Sequence, residues 1–317
     1  MIESIQGIFF VINYYVYYRI GKNASSIREL NIELVSYCNL RCVMCSLDHE
    51  KPKQRMAPET LNKILSNIHT DRRFKSLEVI NLHNAGEALL HPEIISMLEI
   101  ISKYKKNAVQ NQKPFPKVFL LTNGIPLSKE KAASILELNV IDKMRFSMDG
   151  GTPAKFEAMR TRAKWEVFSN NIKTFISLNN QSNGRRIRTE IISVIEPDRS
   201  LHTHWMDEDF KKILSSVDEY ELRHPHDWAG EVDIKLNRKK DKPHKIGCGL
   251  LMHQLVVLPN GDVTVCCADL NSRGVVGNIL EKDLFSIYRS KKRLEWIKSH
   301  LKKKKNTIDL CKDCETH

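Results

Sequence analysis

The sequence predicts an α/β protein, a partial (β/α)6 TIM-like barrel followed by a small cysteine-rich domain with a β-hairpin. From about residue 30 to 225, short apolar runs alternate with amphipathic helical patterns, which is typical of parallel strands joined by right-handed crossovers. Six such alternations indicate a barrel left partly open, not the closed eight-unit form. The eight cysteines fall into two groups, one after the first predicted strand and one near the C-terminus.

The predicted strands are short apolar or alternating runs bounded by polar turn residues. They are Glu29–Ser36, Ser76–His83, Val118–Thr122, Lys143–Ser147, Arg188–Ile195 and Val217–Arg223. The predicted helices have apolar residues at a period near 3.6. They are Ala57–His69, Pro92–Tyr104, Ser128–Leu138, Phe168–Leu178 and Met206–Leu214. Because the carboxyl ends of parallel strands carry the active residues of such barrels, we expect the site there.

Three regions follow: an apolar extension at 1–29, the barrel at 30–235 and the cysteine-rich domain at 236–317. The apolar run Ile8–Ile20 is interrupted by Asn13 and Arg19, and it is shorter than the ~20 residues that cross a bilayer. We therefore expect no transmembrane span. A packed helix or strand at the base of the barrel is the favoured interpretation, and an interfacial membrane anchor is the weaker alternative.

Composition indicates a soluble globular protein with a net positive charge. The chain has 317 residues, 41% hydrophobic and 28% charged, with a net charge of +12. Much of the positive charge lies in Arg289–Arg293 and Lys302–Lys305. Such runs are usually solvated helix faces, so binding of RNA or of a phosphate-bearing substrate is the minority alternative.

The cysteines indicate metal binding and not disulfides, because they are tightly clustered and no cleavable export signal is visible. The first group has three thiols, Cys38, Cys42 and Cys45. Zinc ribbons and ordinary four-iron sites use four protein thiolates. A four-iron, four-sulfur cube held by three thiolates instead leaves one iron without a protein ligand.

Cys38-x3-Cys42-x2-Cys45 after the first strand of an open barrel resembles the radical S-adenosylmethionine (SAM) superfamily. The resemblance implies a [4Fe-4S] cluster whose free iron binds SAM through its amino and carboxylate groups. It also implies reductive cleavage of SAM to a 5′-deoxyadenosyl radical that abstracts a hydrogen atom. A zinc site or a ferredoxin-type coincidence is the alternative for this spacing.

Further motifs strengthen the resemblance. Asn84-Ala85-Gly86-Glu87 resembles the Gly-Gly-Glu-Pro motif that holds the SAM amino group, although only Gly86 and Glu87 match. Thr122-Asn123-Gly124 and Ser147-Met148-Asp149-Gly150 follow the third and fourth strands, as in the family. The implied cofactor contacts are Met44, Asn84, Ala85, Gly86, Glu87, Asn123, Ser147 and Arg160, with Met44 at the adenine and Arg160 at the carboxylate.

The C-terminal region resembles the auxiliary-cluster domain of these enzymes, in its shortened SPASM/twitch form. Asn260-Gly261 lies between two apolar runs, a strong hairpin signal. The resemblance implies one auxiliary [4Fe-4S] cluster bound by Cys248, Cys266, Cys311 and Cys314, with structural zinc as the alternative. Cys267 is the other candidate for the second ligand, and we favour Cys266 because it keeps the family spacing to the glycine.

These features predict an iron–sulfur oxidoreductase that uses SAM radical chemistry, most simply for a two-electron oxidation of a sugar, a cyclitol or a similar small polar molecule. Peptide maturation ranks second, because such enzymes usually have a leader-binding domain before the barrel, whereas the predicted extension here is residues 1–29. Modification of tRNA ranks third, sulfatase maturation is less favoured, and a non-enzymatic zinc-binding module is last. The implied electron donor is a flavodoxin or ferredoxin, and an oxygen-sensitive cluster implies a cytoplasmic location.

Substrate residues are predicted by position alone. His83 ends the second strand, Glu190 lies in the fifth, and His224, His226 and Trp228 follow the sixth. Histidine titrates near neutral pH, so His83, Glu190, His224 and His226 are the candidates for substrate hydroxyl binding or proton transfer.

Overall fold

The computed structural model describes residues 5–21, 23–182, 184–232 and 247–314. The expected boundary between barrel and cysteine-rich domain, at 235–236, lies outside these residues. The strands are β1 Glu29–Ile32, β2 Arg41–Cys42, β3 Val79–Asn81, β4 Lys117–Thr122, β5 Lys143–Ser147, β6 Arg160–Thr161, β7 Arg188–Val194, β8 Glu219–Arg223, β9 Gln254–Val257, β10 Asp262–Thr264 and β11 Val275–Asn278. The helices are α1 Ile5–Tyr14, α2 Pro58–Thr70, α3 Ile94–Gln110, α4 Lys129–Leu138, α5 Pro153–Met159, α6 Trp165–Gln181, α7 Glu208–Leu214, α8 Gly249–His253, α9 Leu284–Tyr288 and α10 Lys291–Leu301.

Six parallel strands form one side of the nine-stranded main sheet, in the order β1-β3-β4-β5-β7-β8, with β8 at the edge. Helices α2 to α7 occupy the connections between them, so the predicted fold class is confirmed. Every predicted strand and helix is present; Lys143–Ser147 has the predicted ends, and the other elements have shifted ends. The prediction for β1 was too long because Leu34 and Ser36 leave the sheet and pair instead with the returning segment at Gln54 and Met56.

Local sequence signals set the helix starts. Ser128 and Thr152 accept hydrogen bonds from the backbone N–H groups of Lys131 and Lys155, which caps α4 and α5. Pro153 follows at the first position of α5, where its missing N–H costs no helical hydrogen bond. Short capping motifs therefore set where these connecting helices begin, and the apolar periodicity sets which side of each helix is buried.

Side chains of the parallel strands alternate between the helix layer and the barrel interior. Phe146 of β5 packs on Phe175 of α6, with ring centroids 5.4 Å apart. The preceding residue of β5, Arg145, lies on the opposite face, where its Nε is 2.6 Å from Glu190 Oε2 of β7. Lys143 Nζ is 3.3 Å from the same oxygen. The interior face of these strands is therefore a network of ion pairs, suited to a polar ligand.

The predicted hairpin is present and extends the barrel sheet. Gly261 adopts a φ of +86°, a conformation that glycine tolerates without strain, and β9 and β10 pair antiparallel around it. β9 also pairs parallel with β1, with Leu30 opposite Leu255 and Ile32 opposite Val257. The cysteine-rich segment thus shares one sheet with the barrel.

The N-terminal apolar run forms α1 and continues in a π-helical turn over Tyr15–Ile20. Phe10 and Tyr18 are buried and contact the C-terminal region, Phe10 at the ring of His300 and Tyr18 at the ring of Tyr288. One face of this run is therefore packed, as the favoured interpretation expects. None of the described helices is both long enough and apolar enough to cross a membrane.

The buried side chain of Arg293 connects three segments of the chain through hydrogen bonds. It has no exposed surface, and it donates to Leu251 O at 2.6 Å, to Tyr288 O at 2.9 Å and to the Tyr18 hydroxyl. Arg293→Met keeps an unbranched side chain but leaves buried acceptors without donors. It should lower the free energy of unfolding by about 3 kcal/mol, measured by urea denaturation.

Lys291→Met is the matched control, because this neighbouring side chain is 92% exposed. Its unfolding free energy should stay within about 0.5 kcal/mol of the wild type. Equal unfolding midpoints for the Arg293 and Lys291 variants would show that the buried guanidinium does not hold these segments together.

Candidate active site

The three-cysteine loop lies where predicted, just beyond the carboxyl end of β1. Cys38, Cys42 and Cys45 are free, half-buried thiols. Cys42 is in β2, which pairs antiparallel with β6 so that Cys42 lies opposite Arg160. No sequence motif predicted this two-stranded ladder, which holds the middle of the loop against the turn after α5.

Two of the thiols accept N–H hydrogen bonds. Leu40 N is 3.4 Å and Asn123 Nδ2 is 3.6 Å from Cys38 Sγ, and Arg160 Nη1 is 3.8 Å from Cys42 Sγ. Such donors stabilise negative charge on sulfur and are a known influence on iron–sulfur clusters. The surroundings of the loop are therefore prepared for thiolates.

Burial raises the pKa of all three thiols. For Cys38 burial, assisted by the nearby Glu87 carboxylate, raises the pKa to about 12. For Cys42 and Cys45 burial also raises the pKa, while Arg160 lowers it. The thiols are therefore neutral until a bound cation displaces their protons.

The loop after β3 presses against the segment that leads into Cys38. An added Cβ at Gly86 would lie 1.9 Å from Val35 O and 2.9 Å from Tyr37 N. Ala85 N and Asn84 Nδ2 donate to Glu33 Oε2 at 3.0 and 3.2 Å. Only glycine allows this backbone approach, because a Cβ at this position would overlap Val35 O. Gly86, which matches the family motif, is therefore required by the backbone packing.

Glu87 points into the protein. Its carboxylate accepts from Thr122 Oγ1 at 2.8 Å, Asn123 N at 2.7 Å and Leu89 N at 3.1 Å. Burial raises its pKa, and these three donors act in the opposite direction. Glu87 therefore connects the loop after β3 to the end of β4, and its contact with the SAM ammonium stays a prediction.

Arg160 is likewise engaged within the protein. Its Nη2 is 2.6 Å from Asp149 Oδ2, and both side chains are nearly inaccessible. Asp149 Oδ1 in turn accepts from Val194 N at 2.7 Å. This ion pair joins β6 to the end of β5, and Arg160 Nε is buried without a hydrogen-bond partner among the described residues. Binding of the SAM carboxylate by Arg160 stays a prediction.

Met44 and Trp228 meet at the outer side of the loop. Trp228 Nε1 donates to Met44 O at 2.6 Å, and its ring packs on His226 with centroids 4.0 Å apart. Trp228 also contacts the small apolar cluster of Leu47, Ala85 and Leu270, as do Cys38 and Cys45. His226 and Trp228 thus form a wall of the cysteine site.

The other predicted substrate residues lie in the barrel interior. His83 and His224 each have a buried Nδ1 without a hydrogen-bond partner among the described residues. Burial, together with Arg145 and Arg223, lowers the pKa of His83 to about 3. Glu190 forms ion pairs with Lys143 and Arg145 of β5, and Ser147 at the end of β5 lies opposite Ile192 of β7. Arg145 therefore connects Glu190 with the surroundings of His83, which is uncharged at neutral pH.

The four predicted auxiliary ligands line one small cavity. Its wall includes Cys248, Cys266, Cys311 and Cys314, with Lys305 beside them. Lys305 Nζ donates to Cys314 O at 2.6 Å and brings a positive charge to the cavity. Burial raises the pKa of Cys248, Cys266 and Cys311, to about 12 for Cys311. Four thiols around one cavity fit the donor set of a four-iron cluster.

Cys267 does not line this cavity. Its backbone N–H donates to Gln254 Oε1 at 3.0 Å, at the start of β9. The structure thus distinguishes the two adjacent cysteines by position, and Cys266 stays our predicted ligand. Among the described residues, no three His, Cys, Asp or Glu side chains converge on a point that one metal ion would fill. A four-iron cluster distributes its ligands over separate iron atoms, so its thiolates need not converge in this way.

A turn after Cys267 ties the C-terminal region to the three-cysteine loop. Asn271 donates through Nδ2 to Ser46 O at 2.8 Å and accepts from Asp48 N at 3.0 Å. Lys51 Nζ donates to Leu270 O at 2.6 Å. The two cysteine sites are therefore held in one hydrogen-bonded frame.

Sequence reasoning missed Glu33, Asp149 and Asn271 as site residues. Asp149 lies in the Ser-x-Asp-Gly turn, so that motif carried a usable signal. Glu33 and Asn271 bond to residues 52 and 223 positions away, and nothing local marks them.

The close backbone approach at Gly86 can be tested by substitution. Gly86→Ala should lower the free energy of unfolding by about 1–3 kcal/mol and weaken iron binding by the three-cysteine loop, because the two backbone segments must separate. The measurements are urea denaturation and iron content after anaerobic reconstitution. Gly249→Ala is the control, since nothing lies within 4 Å of its added Cβ. If Gly86→Ala matches this control, the close approach is unimportant.

Two family models match the sequence. The model described as the radical SAM superfamily matches residues 32–187, and the SPASM model, described as an iron–sulfur cluster-binding domain, matches residues 248–315. Together these segments cover more than two thirds of the chain.

Curated relatives share part of their length with this chain. The tungsten-containing aldehyde ferredoxin oxidoreductase cofactor-modifying protein of Pyrococcus furiosus is 32% identical over 123 residues, 38% of this chain and 31% of that protein. GTP 3′,8-cyclase of Parasynechococcus marenigrum is 24% identical over 131 residues, 41% of this chain and 36% of that protein. The matches span about a third of the length of these relatives.

Solved structures resemble the fold over most of the chain. BtrN in complex with AdoMet and 2-DOIA has a TM-score of 0.60 at 19% identity, covering 92% of this chain and 93% of that one. Streptococcus suis SuiB bound to precursor peptide SuiA has a TM-score of 0.68 at 16% identity, covering 97% and 74%. At such identities the likeness concerns the fold. With both family models matched in order along that fold, the chain belongs to the radical SAM superfamily and has a SPASM-type iron–sulfur domain at its C-terminus.

Proposed function

We propose that this protein removes two electrons and two protons from a small polar substrate, such as a sugar or a cyclitol, and leaves a carbonyl. The observation that carries the proposal is the cavity lined by Cys248, Cys266, Cys311 and Cys314, beside a loop that offers only three thiols. Family membership implies SAM and a [4Fe-4S] cluster, and the C-terminal domain implies auxiliary iron–sulfur binding.

Cys38, Cys42 and Cys45 are the proposed ligands of the first cluster. When bound, that cluster supplies the electron that cleaves SAM to a 5′-deoxyadenosyl radical, which takes a hydrogen atom from the substrate. The protein's own contribution is to hold the thiolates. Asn123 and Arg160 donate hydrogen bonds to their sulfur atoms, and the wall formed by Trp228 limits solvent access to the loop.

The four cavity cysteines are the proposed ligands of one auxiliary cluster. A [4Fe-4S] cluster held by these four thiolates would leave no iron open to SAM, and it would supply an acceptor for the second electron. The hydrogen atom carries away one electron and one proton, and loss of the second electron and a second proton gives the carbonyl. An external reductant such as a flavodoxin or ferredoxin supplies the electron that starts each cycle.

The interior polar residues divide into two roles. His83 stays neutral because its pKa is about 3, so it suits hydrogen bonding to a substrate hydroxyl better than it suits proton uptake. His224 follows the last residue of β8 and is the second proposed contact for a substrate hydroxyl. Glu190 holds Arg145 and Lys143 in place, which positions charge around the substrate.

The direct assay is anaerobic incubation with SAM, a reductant and candidate sugars and cyclitols. We expect 5′-deoxyadenosine together with an oxidised product two hydrogens lighter than its substrate, both measured by mass spectrometry. Abundant 5′-deoxyadenosine with a short precursor peptide instead would support peptide maturation in place of our proposal.

Cys311→Ser with Cys314→Ser tests the role of the auxiliary site. Product formation should fall by about 100-fold or more, because the second electron has no acceptor, while cleavage of SAM continues. Cys267→Ser is the control and should retain product formation, since Cys267 lies outside the cavity. Circular dichroism verifies folding of each variant. Undiminished turnover in the double variant contradicts the proposed electron acceptor.

A further inference from the structure

The N-terminal helix carries a concentration of exposed apolar side chains. Of the twelve large hydrophobic residues that are exposed in the described chain, six lie between residues 8 and 20. We call these six the N-terminal stripe; they are Ile8, Phe9, Ile12, Tyr15, Val16 and Ile20, each between 43% and 81% exposed. Soluble monomers rarely show large contiguous apolar patches unless these serve an interaction.

The N-terminal stripe has helical spacing, with members at intervals of three and four residues, so it forms one side of α1 and of the π-helical turn. The buried residues Gly7, Phe10 and Tyr18 lie on the other side. Phe10 contacts His300, and Arg289 Nη1 donates to Tyr17 O at 3.1 Å. The helix is therefore firmly seated on the protein while its apolar side faces solvent.

The charges near the N-terminal stripe indicate which kind of surface would bind it. The segment from residue 5 to 21 contains no acidic residue and one basic residue, Arg19. The N-terminal segment contacts α10 near both ends, because Tyr18 accepts a hydrogen bond from Arg293 and Phe10 packs on the ring of His300, so this segment and α10 lie side by side. The exposed basic residues of α10 and the turn that follows it are Lys291, Lys292, Lys298, Lys302, Lys303 and Lys304, against one exposed acid, Glu295. An apolar stripe flanked by lysines complements a surface that is both apolar and negatively charged.

We propose that the N-terminal stripe docks this protein on an anionic phospholipid bilayer, with α1 lying flat in the interface. Interfacial helices combine an apolar face with flanking basic residues, and stable attachment needs both signals. A second copy of the chain is a poorer occupant, because a two-fold contact would place two lysine-rich helices near each other. The proposal is independent of the reaction that the barrel catalyses.

Vesicle flotation with the full chain tests this proposal directly. The wild type should float with vesicles of phosphatidylcholine and phosphatidylglycerol, less with phosphatidylcholine alone, and less again as salt rises. Phe9→Ser with Ile12→Ser should reduce the partition coefficient by about tenfold or more, because two large apolar side chains are lost from the interface. Lys298→Glu with Lys302→Glu should abolish the preference for the anionic lipid.

Val109→Ser with Leu280→Ser is the matched control, since both side chains are exposed but lie outside the N-terminal stripe. It should float like the wild type, and thermal melts should show that all variants are folded. Absence of wild-type flotation, or equal loss in the control, overturns the proposal. So does a wild-type dimer in sedimentation equilibrium that the Phe9 and Ile12 changes convert to monomer, because the stripe would then be a self-association surface.

Discussion

The close backbone contact between Gly86 and the segment just before Cys38 is the constraint on which the site depends. It brings the loop after β3 against the end of β1, so that Ala85 reaches Glu33 and Glu87 N donates to Tyr37 O at 3.0 Å. Two buried carboxylates, Glu33 and Glu87, then bind backbone N–H groups on either side of this contact. The cysteine loop starts from a rigid junction of two strands and not from a free strand end.

Two further sets of contacts hold the three-cysteine loop in place. The β2–β6 ladder places Arg160 opposite Cys42, and the ion pair with Asp149 connects that ladder to β5. On another side, Asn271 binds the backbone just past Cys45. A loop held from three directions can keep three thiols in position when a cluster is absent. Because one attachment belongs to the C-terminal domain, the two cysteine sites are connected through Asn271.

The sequence predicted the fold class, the six parallel strands and the hairpin, because these depend on apolar periodicity and on the turn residues Asn260 and Gly261. It also located the cysteines and Gly86, whose roles depend on local spacing. It did not predict that Glu87 and Arg160 point inward, because their partners, Thr122 and Asp149, come from other strands. Nor did it predict that β9 joins β1, since strand pairing across more than 200 residues leaves no local pattern. The interior charges show the same limit, because Glu190 becomes an ion-pair partner only when β5 and β7 are side by side.

The central claim is that the three-thiolate site leaves one iron open to SAM. Electron paramagnetic resonance of the reconstituted, dithionite-reduced protein, recorded before and after addition of SAM, tests it most directly. If one iron is open, SAM should change the cluster signal, and Cys42→Ala should remove this response while an iron–sulfur signal from the C-terminal site persists. A wild-type signal that SAM leaves unchanged would contradict it.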